Sequence, residues 1–380
     1  MFIKSLYYKD EDINWELEKI ELKPLTLFVG ISGVGKSRIL EAISNLKGIM
    51  QGDTDGLGGV KWDIEFLVDE MQCRWKGSFA PLHMPILKTQ HKNQVLYYEG
   101  VPCIRQLSPA FVQEELTCDG ENIFSRTQEG QTFKGAVLPK TNRYKSFMEV
   151  FSEDEDIEKI CSGFLNIFHL KVAVDRNLLV ENAMLEMYCE RSPAVSPSEV
   201  MRSELPIITK LAYMYRTEDP LFEKIKQKFL DIFPYVEDVK FETDENIRYY
   251  TLYIKEQKTG WISQSYMSSG MFKTLIFLAQ MNTLQGRCVV LLDEIENSLG
   301  LNCIDILAEE LRGTEYDDQF LITSHHPYII NNIAMDDWRI VKRSGGVVTV
   351  KTAKDLQLGR SSHEAYFQLI NSPEYAAGIE

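Results

Sequence analysis

Apolar residues in this chain gather in short continuous runs near both ends and at helix-like intervals between them. Leu25-Thr26-Leu27-Phe28-Val29, bounded by Pro24 and Gly30, predicts a short buried strand, and the spacing in Ser37-Arg38-Ile39-Leu40-Glu41-Ala42-Ile43 predicts a helix with one apolar face. Residues 48–59, GIMQGDTDGLGG, predict a mobile loop rich in glycine and aspartate. Lys61–Val68, Gln94–Tyr98 and Ala110–Leu116 alternate or are rich in aromatics and predict strands. Asp154–Ile167 and Glu204–Ile232 carry helical spacing, with polar stretches such as RSPAVSPSEV between them, and without the sustained heptads of a long coiled-coil arm. The pattern then alternates: strand Tyr249–Ile254, helix Ser268–Leu284, buried strand Arg287–Leu292, helix Leu301–Leu311, strand Phe320–Thr323, and strands near Trp338–Lys342 and Val347–Thr352. The order predicts an α/β fold with a largely parallel, covered sheet. It divides the chain into an N-terminal lobe (1–149), a mainly helical insertion (150–245) and a C-terminal lobe (246–380).

Composition narrows this picture. The 380 residues are 44% hydrophobic, enough for a substantial core, and hold no apolar run long enough to span a membrane. The start, MFIKSLYYKDEDINW, turns acidic within ten residues and does not read as a secretory signal. The seven cysteines show no C-x-x-C spacing, so reduced thiols in a cytoplasmic protein are expected, not zinc ligands or a disulfide framework. A net charge of −15 argues against nonspecific duplex binding over the whole surface. The basic runs Arg74-Trp75-Lys76 and Lys140–Lys145 read as ordinary solvated surface.

The chemistry concentrates in a few motifs. GISGVGKS, Gly30 to Ser37, has the spacing G-x-x-x-x-G-K-S between a strand and a helix, an arrangement that aims backbone N–H groups and the helix dipole at one anion. In it Gly30, Ser32, Gly33, Val34, Gly35, Lys36, Ser37 and Arg38 form a phosphate cradle, Lys36 reaches the β- and γ-phosphates and the Ser37 hydroxyl binds Mg²⁺. Far along the chain, the apolar strand ending at Leu292 runs into Asp293-Glu294, paired carboxylates where ligands bind in such sheets; Asp293 is expected to hold the metal and Glu294 to orient water. The long interval between Lys36 and Asp293 places a large insertion between two halves of one nucleotide site. Ser268-Ser269-Gly270 opens a helix and offers a second anion cradle. His325, just past the strand ending at Thr323, can hydrogen-bond a γ-phosphate, and His326 is the weaker candidate. Asn297-Ser298-Leu299-Gly300 would form a turn facing a partner subunit.

In this order the motifs resemble the ABC-type ATPase heads of the SMC, RecF and OLD kind, over roughly residues 1–60 and 246–340, with weaker likeness at Glu114-Glu115-Leu116 and Asp119-Gly120-Glu121. The resemblance implies a two-lobed α/β head with a mixed sheet, a P-loop and a helical insertion, binding ATP and Mg²⁺ and hydrolysing ATP. It implies a homodimer or higher oligomer of heads in which Ser268, Ser269 and Gly270 of one subunit face the γ-phosphate held by Lys36 of another, with Glu294, His325 and Lys36 as the catalytic groups. The signature reads MSSGM, so Met267 and Met271 replace the usual leucine and polar residue. Gln113 is a weak candidate for the loop glutamine, and no adenine-stacking aromatic can be assigned among Tyr7, Tyr8 and Trp15. By the same likeness the head serves a separately encoded effector, a nuclease above all, in bacterial anti-phage defence. The alternative is a RecF- or SMC-like DNA-repair or DNA-clamping ATPase. The tail helix carrying Phe367, Leu369 and Ile370 is expected to pack on its own head.

Overall fold

The structure, a computed structural model, describes residues 1–81, 96–98, 101–103, 108–170, 180–181, 200, 203, 205–244, 247–284, 287–294, 318–359 and 361–371. In chain order its elements are β1 (Phe2–Asp10), β2 (Trp15–Glu21), β3 (Leu25–Val29), α1 (Lys36–Gln51), β4 (Val60–Val68), β5 (Met71–Phe79), β6 (Leu96–Tyr98), β7 (Val101–Cys103), β8 (Phe111–Cys118), β9 (Glu121–Arg126), β10 (Gln131–Phe133) and β11 (Ala136–Val137). There follow α2 (Phe147–Val150), α3 (Glu155–Leu165), β12 (Ile167–Leu170), β13 (Val180–Glu181), α4 (Ile207–Arg216), α5 (Pro220–Ile232), β14 (Val236–Asp244), β15 (Ile247–Glu256), β16 (Gly260–Ser263) and α6 (Ser269–Thr283). The last are β17 (Val289–Leu292), β18 (Gln319–Thr323), α7 (Pro327–Asn332), β19 (Trp338–Ser344), β20 (Val347–Lys351) and α8 (Ser362–Ile370). They form two compact units: Met1–His169 with Arg287–Leu291 and Tyr316–Glu380, and Leu170–Gly286 with Leu292–Glu315. These units do not coincide with the segments 1–149, 150–245 and 246–380.

The first unit is built on a 14-stranded sheet in the order β11-β10-β9-β8-β5-β4-β1-β2-β20-β19-β3-β18-β17-β12. The sheet is mixed, not largely parallel. Parallel pairing occurs at β2–β20, β19–β3 and β3–β18, whereas the neighbours from β2 through β1, β4, β5, β8, β9 and β10 to β11 are antiparallel. The reason is connection length. Asp69-Glu70 joins β4 to β5 and Asp119-Gly120 joins β8 to β9, two-residue turns that permit only an antiparallel return. Both aspartates adopt left-handed backbone, φ 52° and 51°, as such turns require. The Asp119-Gly120-Glu121 segment is thus a hairpin turn.

Two expected elements differ in extent. α1 runs on to Gln51, where Gly52 closes it in left-handed conformation, so residues 48–51 are helical and the loop begins at Gly52. The expected helix 204–232 is two helices, because Glu218 turns left-handed (φ 53°), Asp219 caps the Leu221 N–H and Pro220 opens α5. The span 150–245 also contains strand β14, so it is not helical throughout. The expected helix Leu301–Leu311 and the turn Asn297–Gly300 lie outside the described residues.

One face of the sheet and α1 share a core in which Ile39, Leu40, Ile43, Leu46 and Ile49 meet strand residues such as Trp62, Phe66 and Trp75. Trp62 and Trp75 pack edge to face at 5.2 Å, and Trp75 meets Phe164 of α3 at 5.4 Å. Within this core sits a buried ion pair. Glu114 accepts hydrogen bonds from the Ser146 hydroxyl (2.5 Å) and the Phe147 N–H (2.9 Å), and its carboxylate lies 3.9 Å from the Arg126 guanidinium. Arg126 in turn lies 4.2 Å from the Phe147 ring centre and donates to the Lys145 carbonyl. Burial pushes the Glu114 carboxyl above the usual glutamate range, and the donors from Ser146, Phe147 and Arg126 oppose that shift. The Glu114-Glu115-Leu116 segment therefore has a structural role at its first residue.

The cysteine expectation is corrected at one pair. Cys73 and Cys118 face each other across β5 and β8 and are disulfide-bonded, with Cα atoms 4.1 Å apart. Directly opposed positions on adjacent antiparallel strands bring thiols together at any sequence separation, so spacing rules could not reveal it. The cysteines therefore do not argue for a reducing compartment. Among the described residues no helix is long and apolar enough to cross a membrane.

The second unit is smaller. β13, β15, β14 and β16 form an antiparallel sheet, and α4, α5 and α6 pack against one another, with Phe222 and Phe241 bridging helix and strand beside Tyr215. In the first unit, α8 packs on α7 through the buried Ala365 and Leu369, while Phe367 stays exposed.

If the buried pair carries stability, Glu114→Ala lowers the unfolding free energy in urea by about 3–5 kcal/mol, because it strands Arg126 in the core. Glu115→Ala, which removes the exposed pair with Lys76 and the exposed hydrogen bond from Asn122, costs no more than about 1 kcal/mol. Equal losses in the two variants would refute the assignment.

Candidate phosphate-binding site

β3 is held on both sides by parallel partners, Leu25–Phe28 against Phe320–Thr323 and Leu27–Val29 against Trp338–Ile340. It leaves the sheet at Gly30, where a Cβ would lie 2.7 Å from the Val341 carbonyl oxygen and 3.1 Å from Val34. Only glycine fits that approach. The chain then turns through Ser32 and Gly33, both exposed, anchors itself with the buried Val34, and enters α1 at Gly35. Gly33 and Gly35 have φ 90° and 103°, values open to glycine and strained for other residues. Beneath Gly35 lie Trp15 and Val348, so the loop rests on a floor made by β2 and β20.

The start of α1 differs from that of α3. Its N-cap, Gly35, supplies no side-chain hydrogen bond, and its first turn holds no acidic residue. α3, by contrast, is capped by Asp154 and carries Glu155, Asp156 and Glu158 in its first turn. A 16-residue helix presents about half a positive charge at its N-terminus, and the first turn of α1 adds no carboxylate of its own to offset it. Lys36 is buried there and folds back over the loop, its ammonium donating to the Gly30 carbonyl at 2.7 Å and the Ile31 carbonyl at 2.9 Å. Ser37 is half-buried and Arg38 exposed. The loop thus gathers a cation, a helix N-terminus and a hydroxyl at one place, a donor set suited to phosphate.

The next strand adds to the same edge. Thr323 pairs with Phe28, and the Ser324 N–H approaches the Phe28 carbonyl at 3.4 Å, so β18 ends beside the exit of β3. Ser324 is buried and its hydroxyl accepts the His326 N–H. His326 caps α7, its ring Nδ1 accepting the Tyr328 N–H at 3.3 Å, while the His325 side chain is exposed between them. β17 starts beside β18, where Gln319 N–H donates to the Cys288 carbonyl and Cys288 N–H to the Asp318 carboxylate. Val289, Val290 and Leu291 are fully buried. Asp293, half-buried, and Glu294, exposed and left-handed at φ 43°, follow the strand directly.

In the second unit, Ser268 caps α6, its hydroxyl accepting the Met271 N–H at 3.2 Å. Ser268 and Ser269 are exposed, and a Cβ at Gly270 would meet no described atom within 4 Å. Met267 and Met271 are buried, and the Met271 sulfur accepts the Tyr235 hydroxyl. The departures from the usual signature are therefore core anchors that leave the serine–glycine edge outward. Gln113 sits exposed on β8, and Tyr8 and Trp15 are buried in the core. Tyr7, whose hydroxyl donates to Glu16, is pushed up to about 12 by burial and that carboxylate. The burial of Tyr8 and Trp15 leaves neither with an open face for a base. Sequence reasoning missed the floor under Gly35 and the buried Gln319, whose amide bridges Ile3 and Lys23 and fixes the sheet beside the loop. A glutamine inside an apolar run was the one available signal for the latter.

Residues 204–331 match a family model described as "AAA domain, putative AbiEii toxin, Type IV TA system". That span contains Ser268–Gly270, Asp293, Glu294 and His325, and leaves the glycine loop outside. Among solved structures, an SMC head bound to the C-terminal winged-helix domain of ScpA is similar over 94% of this chain and all of its own, at 14% identity and a TM-score of 0.52. The Pyrococcus furiosus SMC head with an extended coiled coil (12% identity, TM-score 0.49, 94% of this chain and 98% of its own) and the Thermotoga maritima SMC head (12%, 0.42, 93% and 99%) are more distant. No curated protein matches the sequence. The chain has the fold of an SMC head domain.

Gly30→Ala should lower stability by about 1–3 kcal/mol, because the new methyl meets backbone. Ser32→Ala, at an exposed position, should leave the melting temperature within a degree or so. A Gly30→Ala protein melting with the wild type would show that the loop does not need this close approach.

Proposed function

We propose that this SMC-like head binds ATP with Mg²⁺ on residues 30–38 and hydrolyses it when two copies close on each other. The observation that carries the reading is the start of α1: a glycine loop that delivers a helix N-terminus, with a buried lysine folded back onto two of the loop's carbonyls. A triphosphate offers Lys36 stronger, charge-assisted acceptors than those carbonyls. The Ser37 hydroxyl and Asp293 carboxylate are hard oxygen donors that fit Mg²⁺, which when bound neutralises charge on the β- and γ-phosphates.

Within this reading, Ser268, Ser269 and Gly270 of a second copy reach the γ-phosphate. Gly270 has no steric reason within the described chain to be glycine, which suits a site approached from outside. Glu294 orients water for in-line attack on the γ-phosphorus, the bond to the β–γ bridging oxygen breaks, and ADP leaves with that electron pair. Lys36 and His325 stabilise the charge on the transferring group. Loss of the γ-phosphate contacts then loosens the two heads, and the open–closed cycle is the output.

We further propose that the cycle governs a separately encoded effector, a nuclease in anti-phage defence. Support comes from the family description, which names a toxin–antitoxin system, and from the similar SMC head, which docks a separate protein. The DNA-clamping alternative gains little from the exposed sheet face. There Arg74 pairs with Asp63, Lys76 with Glu115, Lys19 with Glu65 and Lys61 with Glu11, so these cations are already neutralised.

Lys36→Ala should abolish ATP binding in calorimetry. Glu294→Gln should bind ATP, hydrolyse it at least about 100-fold more slowly and accumulate as a dimer in light scattering. Full turnover by Glu294→Gln would remove Glu294 from its role. ATPase activity stimulated by DNA and falling steeply with salt would favour the clamping alternative.

A further inference from the structure

A buried hydrogen-bond donor lies directly under the phosphate loop. Trp15 is 2% exposed, and its indole N–H has no hydrogen-bond partner among the described residues. It is aimed at Gly35: a Cβ built there would lie 3.2 Å from Trp15 Nε1, with Val348 3.3 Å away on the other side. The indole is fixed in place. The Glu16 N–H donates to the Gly346 carbonyl at 2.9 Å, β2 pairs in parallel with β20 through Glu16–Val347 and Leu17–Val348, and the Tyr8 ring packs 6.0 Å away. A buried N–H without an acceptor costs about 1–3 kcal/mol, and a chain that keeps one beside its ligand loop holds it for an acceptor supplied in another state.

A peptide unit is planar and trans, so its N–H and C=O point in opposite directions. When the N–H groups of Gly33, Val34 and Gly35 turn toward a phosphate, the carbonyls of the same peptide units turn away from it, toward the floor of the loop. Gly33 and Gly35 allow that rotation without a Cβ penalty. We propose that Trp15 is a positioning residue for the nucleotide-loaded loop: its indole N–H takes up a backbone carbonyl of residues 32–34 when a triphosphate draws the loop's N–H groups onto itself. The bond latches the loaded loop from below and adds to nucleotide affinity without touching the nucleotide. This inference rests on the reading of residues 30–38 as the ATP site.

The test uses the full chain labelled with ¹⁵N at its five tryptophan indoles, titrated with a nonhydrolysable ATP analogue and Mg²⁺. The Trp15 resonance is assigned by its loss in Trp15→Phe, or, where that variant fails to fold, by site-specific labelling of the wild type. A downfield shift of the Trp15 indole proton on saturation is expected. Replacing Trp15 with its benzothienyl isostere, which keeps the shape and lacks the N–H, is expected to weaken analogue binding three- to tenfold while raising the nucleotide-free melting temperature, since it removes the unsatisfied donor. Binding that leaves the Trp15 proton in place, or an isostere that binds as tightly as the wild type, overturns the latch while sparing the ATP site. A chain that shows no binding by calorimetry overturns the ATP-site reading itself.

Discussion

The exit of β3 at Gly30 fixes the rest of the candidate site. Two parallel neighbours grip the strand, and the Val341 carbonyl stands where a side chain would be. The loop must therefore leave in one direction and deliver α1 with its positive end over the strand's terminus. Lys36 is then buried beside its own loop and not extended into solvent. The parallel β18 ends at the same edge, so Ser324 and His325 follow from the same register. Both described partners of β3 are parallel to it, and parallel pairing brings the carboxyl ends of strands distant in sequence to one edge.

Much of this was legible because its signals are local. Leu25–Val29 and the glycine pattern define strand, turn and helix within about a dozen residues, and the structure follows them. The apolar runs at Val289–Leu292 and Gln319–Thr323 are buried strands for the same reason: a central strand covered on both faces has no polar side to show. What escaped depends on pairs far apart in sequence. Nothing near Cys73 announces Cys118, nor does Glu114 announce Arg126 and Ser146, because strand order is set by packing and turn length together. The mixed sheet came from the family resemblance, whereas the strand–helix alternation pointed to a largely parallel one; the hairpin signal in Asp119-Gly120 was a local cue for the antiparallel part. The same holds for Glu218-Asp219-Pro220, a cap followed by proline that divides one expected helix into two.

The chain's acidity sharpens the meaning of the site. With a net charge of −15, an anion meets repulsion over most of the surface. Binding a triphosphate therefore needs a place where positive potential is local and shielded, and the helix start with Lys36 supplies one. The acids that crowd the first turn of α3 are absent from α1, although both helices gain from carboxylates there on propensity alone.

The signature segment follows a parallel logic with different materials. A leucine and a polar residue usually flank the serine–glycine core in proteins of this resemblance, and here methionines do. Met267 and Met271 are both buried, and methionine fills irregular space with a flexible, polarisable chain. Their burial fixes the α6 N-terminus to its own unit, so Ser268 is spent on capping while Ser269 and Gly270 remain turned outward. The flanking identities can therefore vary as long as they anchor. The small residues between them leave the helix start open, with nothing within 4 Å of a Cβ at Gly270. Seen this way, MSSGM departs from the familiar signature at the positions that face inward and keeps serine and glycine at those that face out.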